Sequence, residues 1–272
     1  MLDLTIIIVS HNTRSDLEAC LRSIDQHPPH VTHEVIVVDN ASRDGTVAAL
    51  SAGWPNVRII AIDRNVGFAA ANNAGFRTSQ SELVLLLNSD TLALDGSIDR
   101  LVRAIRELPA AAIVGPQLID AKGAVELSFG RMISPFAELR QKLLLRTGGA
   151  RVAEMTSAQA EVDWVSGACL LVRRASAESA GLLDERYFMY CEDVDFCAAV
   201  RAQGGRVYFV PAAQVVHLRG RSRATASVAT DAAYRQSHLA FYRKHHPRWE
   251  PFLRLYLALQ GKLPPAGTDR TG

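Results

Sequence analysis

The sequence predicts an α/β protein built on a mostly parallel, doubly wound sheet, and three observations carry that reading. Four apolar runs, at 4–10, 34–39, 57–62 and 83–87, are rich in Ile, Val and Leu; the first is continuous and β-branched, as strands buried on both faces are. Each run is followed by a stretch of helical character, and four successive strand–helix units feed a parallel sheet. Each run also ends in polar residues: Ser10-His11-Asn12, Asp39-Asn40-Ala41-Ser42, Asp63-Arg64-Asn65 and Asn88-Ser89-Asp90. Doubly wound sheets hold their ligands beyond these strand ends.

The elements follow in order. After the first strand, Leu17, Cys20, Leu21 and Ile24 mark a helix over 13–26, opened by the capping types Thr13, Ser15 and Asp16. Shorter helices are predicted over 44–52 and 67–77, the latter rich in Ala and Asn and suited to close packing, and a longer one over 94–108. The pattern then changes. Residues 111–125 read as short strands joined by turns at Gly115-Pro116 and Ala121-Lys122-Gly123. Residues 135–146 are amphipathic, and 147–161 read as a loop. Strand character returns over 162–173, 206–210 and 214–218, with helices over 175–180 and 193–203. A flexible Arg/Ser/Gly stretch occupies 220–227, two helices broken at Pro247 fill 229–260, and a polar tail closes the chain.

Composition narrows the function. At 272 residues the chain can bury a core without disulfides or metal. Basic and acidic residues, 30 and 28, are interleaved, which argues against a nucleic-acid binder. The four cysteines, Cys20, Cys169, Cys191 and Cys197, have no zinc-site spacing and read as reduced core thiols. The N-terminus lacks the basic region of a signal peptide, and no apolar run approaches the ~20 residues that span a bilayer. The expectation is a cytoplasmic protein, with any contact at the inner face of the membrane peripheral.

No Gly-x-Gly-x-x-Gly follows the first strand, no Walker lysine loop is present, and there is no Gly-x-Ser-x-Gly elbow. What remains is a crevice of carboxylates and amides, which accepts an anionic diphosphate only with a divalent cation between them. Asp90, at the end of a buried strand, is the natural ligand, with a cap for helix 94–108 as the alternative. The second cluster is Tyr187-Phe188-Met189-Tyr190-Cys191-Glu192-Asp193-Val194-Asp195. At a helix N-terminus the macrodipole would keep its carboxylates ionised, as a general base requires. Simple helix capping is the alternative. Asp193 and Asp195, two apart, diverge on a helix and cannot share one substrate. His217 ends a strand as a structural histidine or a further metal ligand, and Arg219 and Arg221 could clamp phosphate oxygens.

These residues resemble the inverting family 2 glycosyltransferases of GT-A fold, the Rossmann-like fold of nucleotide-diphospho-sugar transferases, and in particular their rhamnosyltransferase-like bacterial branch. The match runs over about 4–244 through Val9-Ser10-His11-Asn12, Val38-Asp39-Asn40-Ala41-Ser42-x-Asp44-Gly45-Thr46 and Asn65-Val66-Gly67-Phe68-Ala69-Ala70-Ala71-Asn72-Asn73. It continues through Leu87-Asn88-Ser89-Asp90-Thr91, Ser166-Gly167-Ala168, Asp184-Glu185-x-Tyr187-Phe188-Met189-Tyr190-x-Glu192-Asp193-Val194-Asp195 and His217-x-x-Gly220-x-Ser222. Each motif alone is weak; the order of all seven is what is specific.

The resemblance implies a site. Ser10 and Asp39 would contact the nucleoside, with Asp39 reading a pyrimidine edge. Asn65, Gly67 and Asn72 would lie near the base and diphosphate, with Asn12, Asn40 and Asn88 completing the donor side. Asp90 and His217 would hold Mg²⁺ or Mn²⁺, and Asp193 would be the catalytic base. Trp164, Gly167, Tyr190 and Glu192 would stand on the acceptor side. Asn88 departs from the family's Asp-x-Asp and adds no charge, which resembles a subtype variant. A catalytic domain over 1–227 is implied, its nucleotide-binding half 1–108 and its acceptor half 109–227, with a helical extension over 228–262 and a disordered tail over 263–272.

The implied donor is a dTDP- or UDP-sugar, rhamnose first, and the acceptor is a glycan or a polyprenyl-diphosphate-linked glycan. A homo-oligomer is compatible with this. The other readings are a non-catalytic GT-A-like module that binds nucleotide sugar or scaffolds glycan assembly, and a nucleotidyltransferase. For the latter, Ser10-His11-Asn12-Thr13-Arg14 is a poor loop. The last third places Arg235, Arg243, Lys244, Arg248, Arg254 and Lys262 among Phe241, Tyr242, Trp249, Phe252, Leu253, Leu255, Tyr256 and Leu257. Such basic, aromatic helices rest on an anionic membrane or pack on the catalytic domain or a second subunit.

Overall fold

The computed structural model describes residues 2–137, 156–218 and 227–264. Parts of the expected 135–146 and 147–161 segments lie outside the described residues, as do Arg219, Gly220, Arg221, Ser222 and the tail from 265. Six strands point the same way: β1 (Leu4–Ser10), β2 (His33–Asn40), β3 (Val57–Ile62), β4 (Leu83–Asn88), β6 (Ala111–Ile119) and β12 (Arg206–His217). Against them run β5 (Thr91–Ala93), β7 (Val125–Glu126), β9 (Ala160–Val162) and β11 (Cys169–Arg173). The sheet order is β3-β2-β1-β4-β11-β6-β12-β5, with β7 on β6 and β9 on β12. A separate pair joins β8 (Phe129–Gly130) to β10 (Trp164–Val165).

Alternation along the strands sorts the core into two layers. Leu4, Ile6 and Ile8 face α1 (Arg14–Gln26), α2 (Thr46–Gly53) and α4 (Ser97–Glu107) through Leu17, Leu21, Leu50 and Leu101. Ile7, Val38, Val84 and Leu86 face α3 (Phe68–Thr78), α5 (Arg174–Ser179) and α6 (Glu192–Ala202) through Ala71, Phe76, Ala177 and Phe196. A mostly parallel sheet with helices on both faces is the α/β class that the sequence predicts. All four cysteines are buried free thiols, as expected. No helix among the described residues is long and apolar enough to cross a membrane.

The sequence reading differs from the structure at three places. Gly115-Pro116 is not a turn but lies inside the nine-residue β6. A Cβ at Gly115 would meet the Val165 side chain at 2.6 Å, so close packing demands the glycine. β11 pairs only with Ile113 and Val114, so no ladder on that side needs the N–H that Pro116 lacks. Residues 206–210 and 214–218 are one strand, β12, with a register irregularity between Val210 and Gln214. Last, 88–93 turns into β5 before α4 begins behind Gly96, so Asp90 does not cap that helix.

The C-terminal helices α7 (Ser227–His245) and α8 (Glu250–Leu259) break around Pro247 as predicted. Phe241 and Tyr242 of α7 join Tyr187, Cys191 and Val194 in a third apolar cluster, with Leu253 of α8 against it. The extension is therefore packed onto the start of α6.

Candidate active site

The ends of β1, β2 and β3 open into one cleft of about 660 Å³, a size suited to a small ligand. His11, Asn12, Asp39, Ser42, Arg43 and Asn65 are among its lining residues. Its walls are cross-tied. The Asn12 N–H donates to Ser42 Oγ at 3.0 Å, and the Arg43 N–H donates to Asn12 Oδ1 at 2.7 Å. Asn12 and Ala41 both take left-handed backbone there, at φ 56° and 64°. Asp39 Oδ2 accepts the Ser42 N–H at 3.0 Å, whereas its buried Oδ1 has no hydrogen-bond partner. A buried carboxylate oxygen left without a donor is costly.

Other residues of the donor motifs act from behind the cleft. Asn40 is buried; its Nδ2 donates to Asn65 Oδ1 at 2.9 Å and its Oδ1 accepts the Val66 N–H at 2.9 Å. Asn65 Oδ1 also takes the Gly67 N–H at 3.0 Å. Asn72 is buried and bonds back to the Phe68 carbonyl at 2.9 Å. Ser10 is buried in a hydroxyl chain with Thr13 (3.0 Å) and Ser89 (2.9 Å), which ties the ends of β1 and β4 together. Thr13 thus serves this chain, and no side-chain cap bond is made to α1. Gly67, at φ 91°, packs so closely on Phe188 that a Cβ would lie 2.5 Å from the Phe188 carbonyl oxygen. That carbonyl accepts the Phe68 N–H at 2.7 Å. Of the residues expected on the donor side, Asn12, Asp39 and Asn65 line the cleft, while Ser10, Asn40, Gly67, Asn72 and Asn88 do not.

The fourth strand end meets His217. Antiparallel pairing of β5 with β12 sets Thr91 opposite His217, and the Leu218 N–H donates to the Asp90 carbonyl at 2.8 Å. Asp90 Oδ1 then stands 3.4 Å from His217 Nε2, both side chains largely buried. His217 Nδ1 is 3.4 Å from Glu126 Oε2, a neighbour that β7 brings in and that no sequence signal marked. Asn88 Oδ1 is buried without a hydrogen-bond partner. One hard oxygen and one imidazole nitrogen suit Mg²⁺ or Mn²⁺. Among the described residues no group of three or more His, Cys, Asp or Glu side chains is set to hold an ion. A cation bound there would draw one oxygen from Asp90 and one nitrogen from His217, and would need its other ligands from outside these two side chains.

The first turn of α6 splays its three carboxylates apart. It begins behind Tyr190 and Cys191, two consecutive non-glycine residues in left-handed backbone at φ 72° and 65°, a conformation that costs ~1–2 kcal/mol per residue. Asp193 Oδ2 accepts the Gly167 N–H at 2.8 Å. Asp195 is buried and turned to the C-terminal extension, where it meets Tyr187 Oη (3.2 Å), Lys244 Nζ (2.8 Å) and His245 Nε2 (2.6 Å). The divergence expected for residues two apart is thus what is observed. Glu192, only 6% exposed, lies inward, and burial followed by the charge of Asp193 pushes its carboxyl well above the usual range. At Glu192 burial works against the ionisation expected of a carboxylate at a helix N-terminus.

A short backbone path links this turn to Asp90. The Asn88 N–H donates to the Ala168 carbonyl at 2.9 Å, and Gly167, one residue earlier, donates to Asp193. Of the residues expected on the acceptor side, Gly167 therefore touches Asp193. Trp164 donates its Nε1–H to the Arg131 carbonyl at 2.8 Å, and Tyr190 meets the Tyr234 ring edge-on at 5.7 Å. Lys244 and His245 were not singled out as partners of Asp195, since they lie about fifty residues away with no local pattern.

Comparison with known proteins matches residues 5–178 to the model of glycosyl transferase family 2, a range that ends before Asp193 and His217. The chain is 31% identical over 264 residues to the N-acetylglucosaminyl-diphospho-decaprenol L-rhamnosyltransferase of Mycobacterium tuberculosis, covering 90% of this chain and 86% of that protein. It is 25% identical over 225 residues to the rhamnosyltransferase WbbL of Escherichia coli, covering 78% and 82%. Among solved structures, the mannosyltransferase PcManGT of Pyrobaculum calidifontis, in complex with GDP-Man and Mn²⁺, aligns with a TM-score of 0.63 at 21% identity over 97% of this chain and 74% of that one. GalNAc-T7 with UDP, GalNAc and Mn²⁺ aligns at 0.61 and 17% identity, over 97% of this chain and 59% of that one.

Proposed function

The chain belongs to glycosyl transferase family 2, and from that premise we propose that it is an inverting, cation-assisted transferase. It moves a sugar, rhamnose first, from a dTDP- or UDP-linked donor to a hydroxyl of a lipid-linked glycan. The observation that carries the reading is the joining of Asp193 and the Asp90 turn through Gly167 and Ala168. A base and a diphosphate anchor on one backbone turn are what a single displacement at an anomeric carbon needs.

Each group then has a task. Asp39, which lines the cleft with one oxygen held by the Ser42 N–H, suits the N3–H of a thymine or uracil ring. Asp90 and His217 would hold the cation, which when bound neutralises charge on the diphosphate. Asp193 takes the proton of the acceptor hydroxyl as that oxygen bonds to the anomeric carbon and the bond from that carbon to the diphosphate oxygen breaks, releasing the nucleoside diphosphate; Gly167 keeps the carboxylate aimed. With no covalent intermediate, the anomeric configuration inverts. The Asp195 contacts to Lys244 and His245 support the α6 turn from behind.

The acceptor is inferred from the mycobacterial relative, whose name specifies an N-acetylglucosaminyl-diphospho-decaprenol substrate. The test is incubation with dTDP-rhamnose, Mn²⁺ and a polyprenyl-diphospho-N-acetylglucosamine. A rhamnosylated lipid with the anomeric configuration opposite to that of the donor is expected. A retained configuration would overturn the single displacement, and transfer only from other donors would overturn the choice of sugar.

A further inference from the structure

Helix α8 is apolar over more than half of its circumference. Leu253 and Leu257 face inward, Leu257 buried and Leu253 against the cluster of Tyr187, Phe241 and Tyr242. At 100° per residue, Trp249, Phe252, Leu255, Tyr256 and Leu259 fall within an adjoining arc of about 120°. All five are exposed, Phe252 by 65% and Leu259 by 80%. Phe136 extends the patch, exposed itself and edge-on to Trp249 at 5.9 Å, and Trp249 lies 5.8 Å from Phe252. Side chains of this size present on the order of several hundred Å² of apolar surface together, which marks an interaction face.

Positive charge borders the patch. Arg248 and Lys262 are exposed at the two ends of α8. Glu250, the acidic residue of α8, is bonded by Arg254 at 2.9 Å and approached by Arg243 at 3.7 Å, so it does not offset them. Trp and Tyr beside Leu and Phe, bordered by Arg and Lys, match an interface between acyl chains and anionic headgroups.

We propose that this face of α8, together with Phe136, lies on an anionic lipid bilayer, with the helix axis in the membrane plane. A lipid surface is chosen over a second copy of the chain because of the charge, and because the proposed acceptor is lipid-linked. In that respect the assignment rests on the reading above. Docking on this side leaves the contacts of Leu253 and Leu257 with the catalytic part undisturbed.

The experiment is flotation of the full chain with vesicles of phosphatidylglycerol and phosphatidylethanolamine, against vesicles of phosphatidylcholine alone. A triple variant, Phe252→Ser, Leu255→Ser and Leu259→Ser, is run beside a charge variant, Arg248→Glu with Lys262→Glu. Wild type is expected to float with the anionic vesicles and to be released by high salt. Both variants should float about tenfold less, with thermal melting and donor hydrolysis in water unchanged. Wild type that stays unbound, or a triple variant that floats equally well, overturns the proposal. So does a wild-type dimer that the triple variant abolishes in the absence of lipid, which would assign the face to a second copy. Donor hydrolysis needs no membrane, so failure to float leaves the transferase reading standing, and loss of hydrolysis in wild type counts against that reading alone.

Discussion

The backbone N–H of Gly167 lies 2.8 Å from Oδ2 of Asp193, and a Cβ added at Gly167 would meet the Asp193 Cβ at 3.2 Å. The two residues are in contact at both the polar and the apolar end of the aspartate, so the glycine sets where the carboxylate stands. Gly167→Ala is expected to push Asp193 by a few tenths of an ångström. The expected result is a fall in kcat of about tenfold with the donor KM unchanged, and a melting temperature close to that of wild type. Steady-state kinetics with the donor varied would check it.

Gly67 is a stronger constraint. At φ 91° and with a Cβ position 2.5 Å from the Phe188 carbonyl oxygen, no L side chain fits. Gly67→Ala should cost about 2–4 kcal/mol, combining backbone strain with overpacking. It should also loosen the 187–191 turn from the donor loop. Urea unfolding followed by circular dichroism would measure the loss.

Glu192 supplies a pH dependence. Burial, then the neighbouring charge of Asp193, raises its folded pKa well above the ordinary glutamate value. The folded chain therefore binds a proton that the unfolded chain releases above about pH 4.3. Stability is undiminished below that pH and is lost as the pH rises toward the folded value. Glu192→Gln removes the penalty. The variant should melt higher than wild type at pH 8, on the order of a few degrees, with the gap closing near pH 4. Calorimetry across pH 4–8 is the check.

Lys244 ties α7 to Asp184 and Asp195, 2.8 Å from each. For Asp184, burial acts upward, but hydrogen bonds from Lys244 and Arg186 outweigh it and lower the pKa. For Lys244, burial acts downward and the bonds to Asp184 and Asp195 prevail, raising it. The aspartate contribution is present above about pH 3.9 and disappears as the pH falls through the folded value; the lysine contribution is present below about pH 10.4 and is lost as the pH rises through its folded value. Lys244→Met should cost about 1–2 kcal/mol at pH 7, because the lysine remains partly in water. The difference should shrink below pH 4, as melts in acid buffer would show.

The half of the fold that was legible was the half built on long buried strands. Residues 4–10 and 57–62 are strands to the residue; the first is a continuous, fully buried β-branched run, the second an Ile/Val-rich run at the sheet edge. Thr91–Ala93 was invisible because three residues carry no period; its strand state comes from pairing with β12, more than a hundred residues away. Gly115-Pro116 carried a turn signature and yielded to packing against Val165. In the candidate site, Asp90, His217 and Asp193 were singled out from strand ends, a helix start and the family resemblance, and the structure places Asp90 beside His217. Glu126 and the contacts of Asp195 could not, since tertiary pairing alone brings them there. Asn40 and Asn72 were placed on the donor side by the family resemblance; in the structure the Asn40 amide bonds Asn65 and the Asn72 amide bonds the Phe68 carbonyl.

The most direct test of the proposed chemistry is nucleotide release from dTDP-rhamnose in the presence of Mn²⁺ and a lipid-linked acceptor, comparing wild type with Asp193→Asn. The amide preserves the shape and cannot take the proton. Turnover is expected to fall by about 10²–10⁴-fold, while dTDP binding by calorimetry stays at the wild-type level and EDTA stops the wild-type reaction. A variant that turns over as fast as wild type would contradict Asp193 as the base and move the search to another carboxylate of the site.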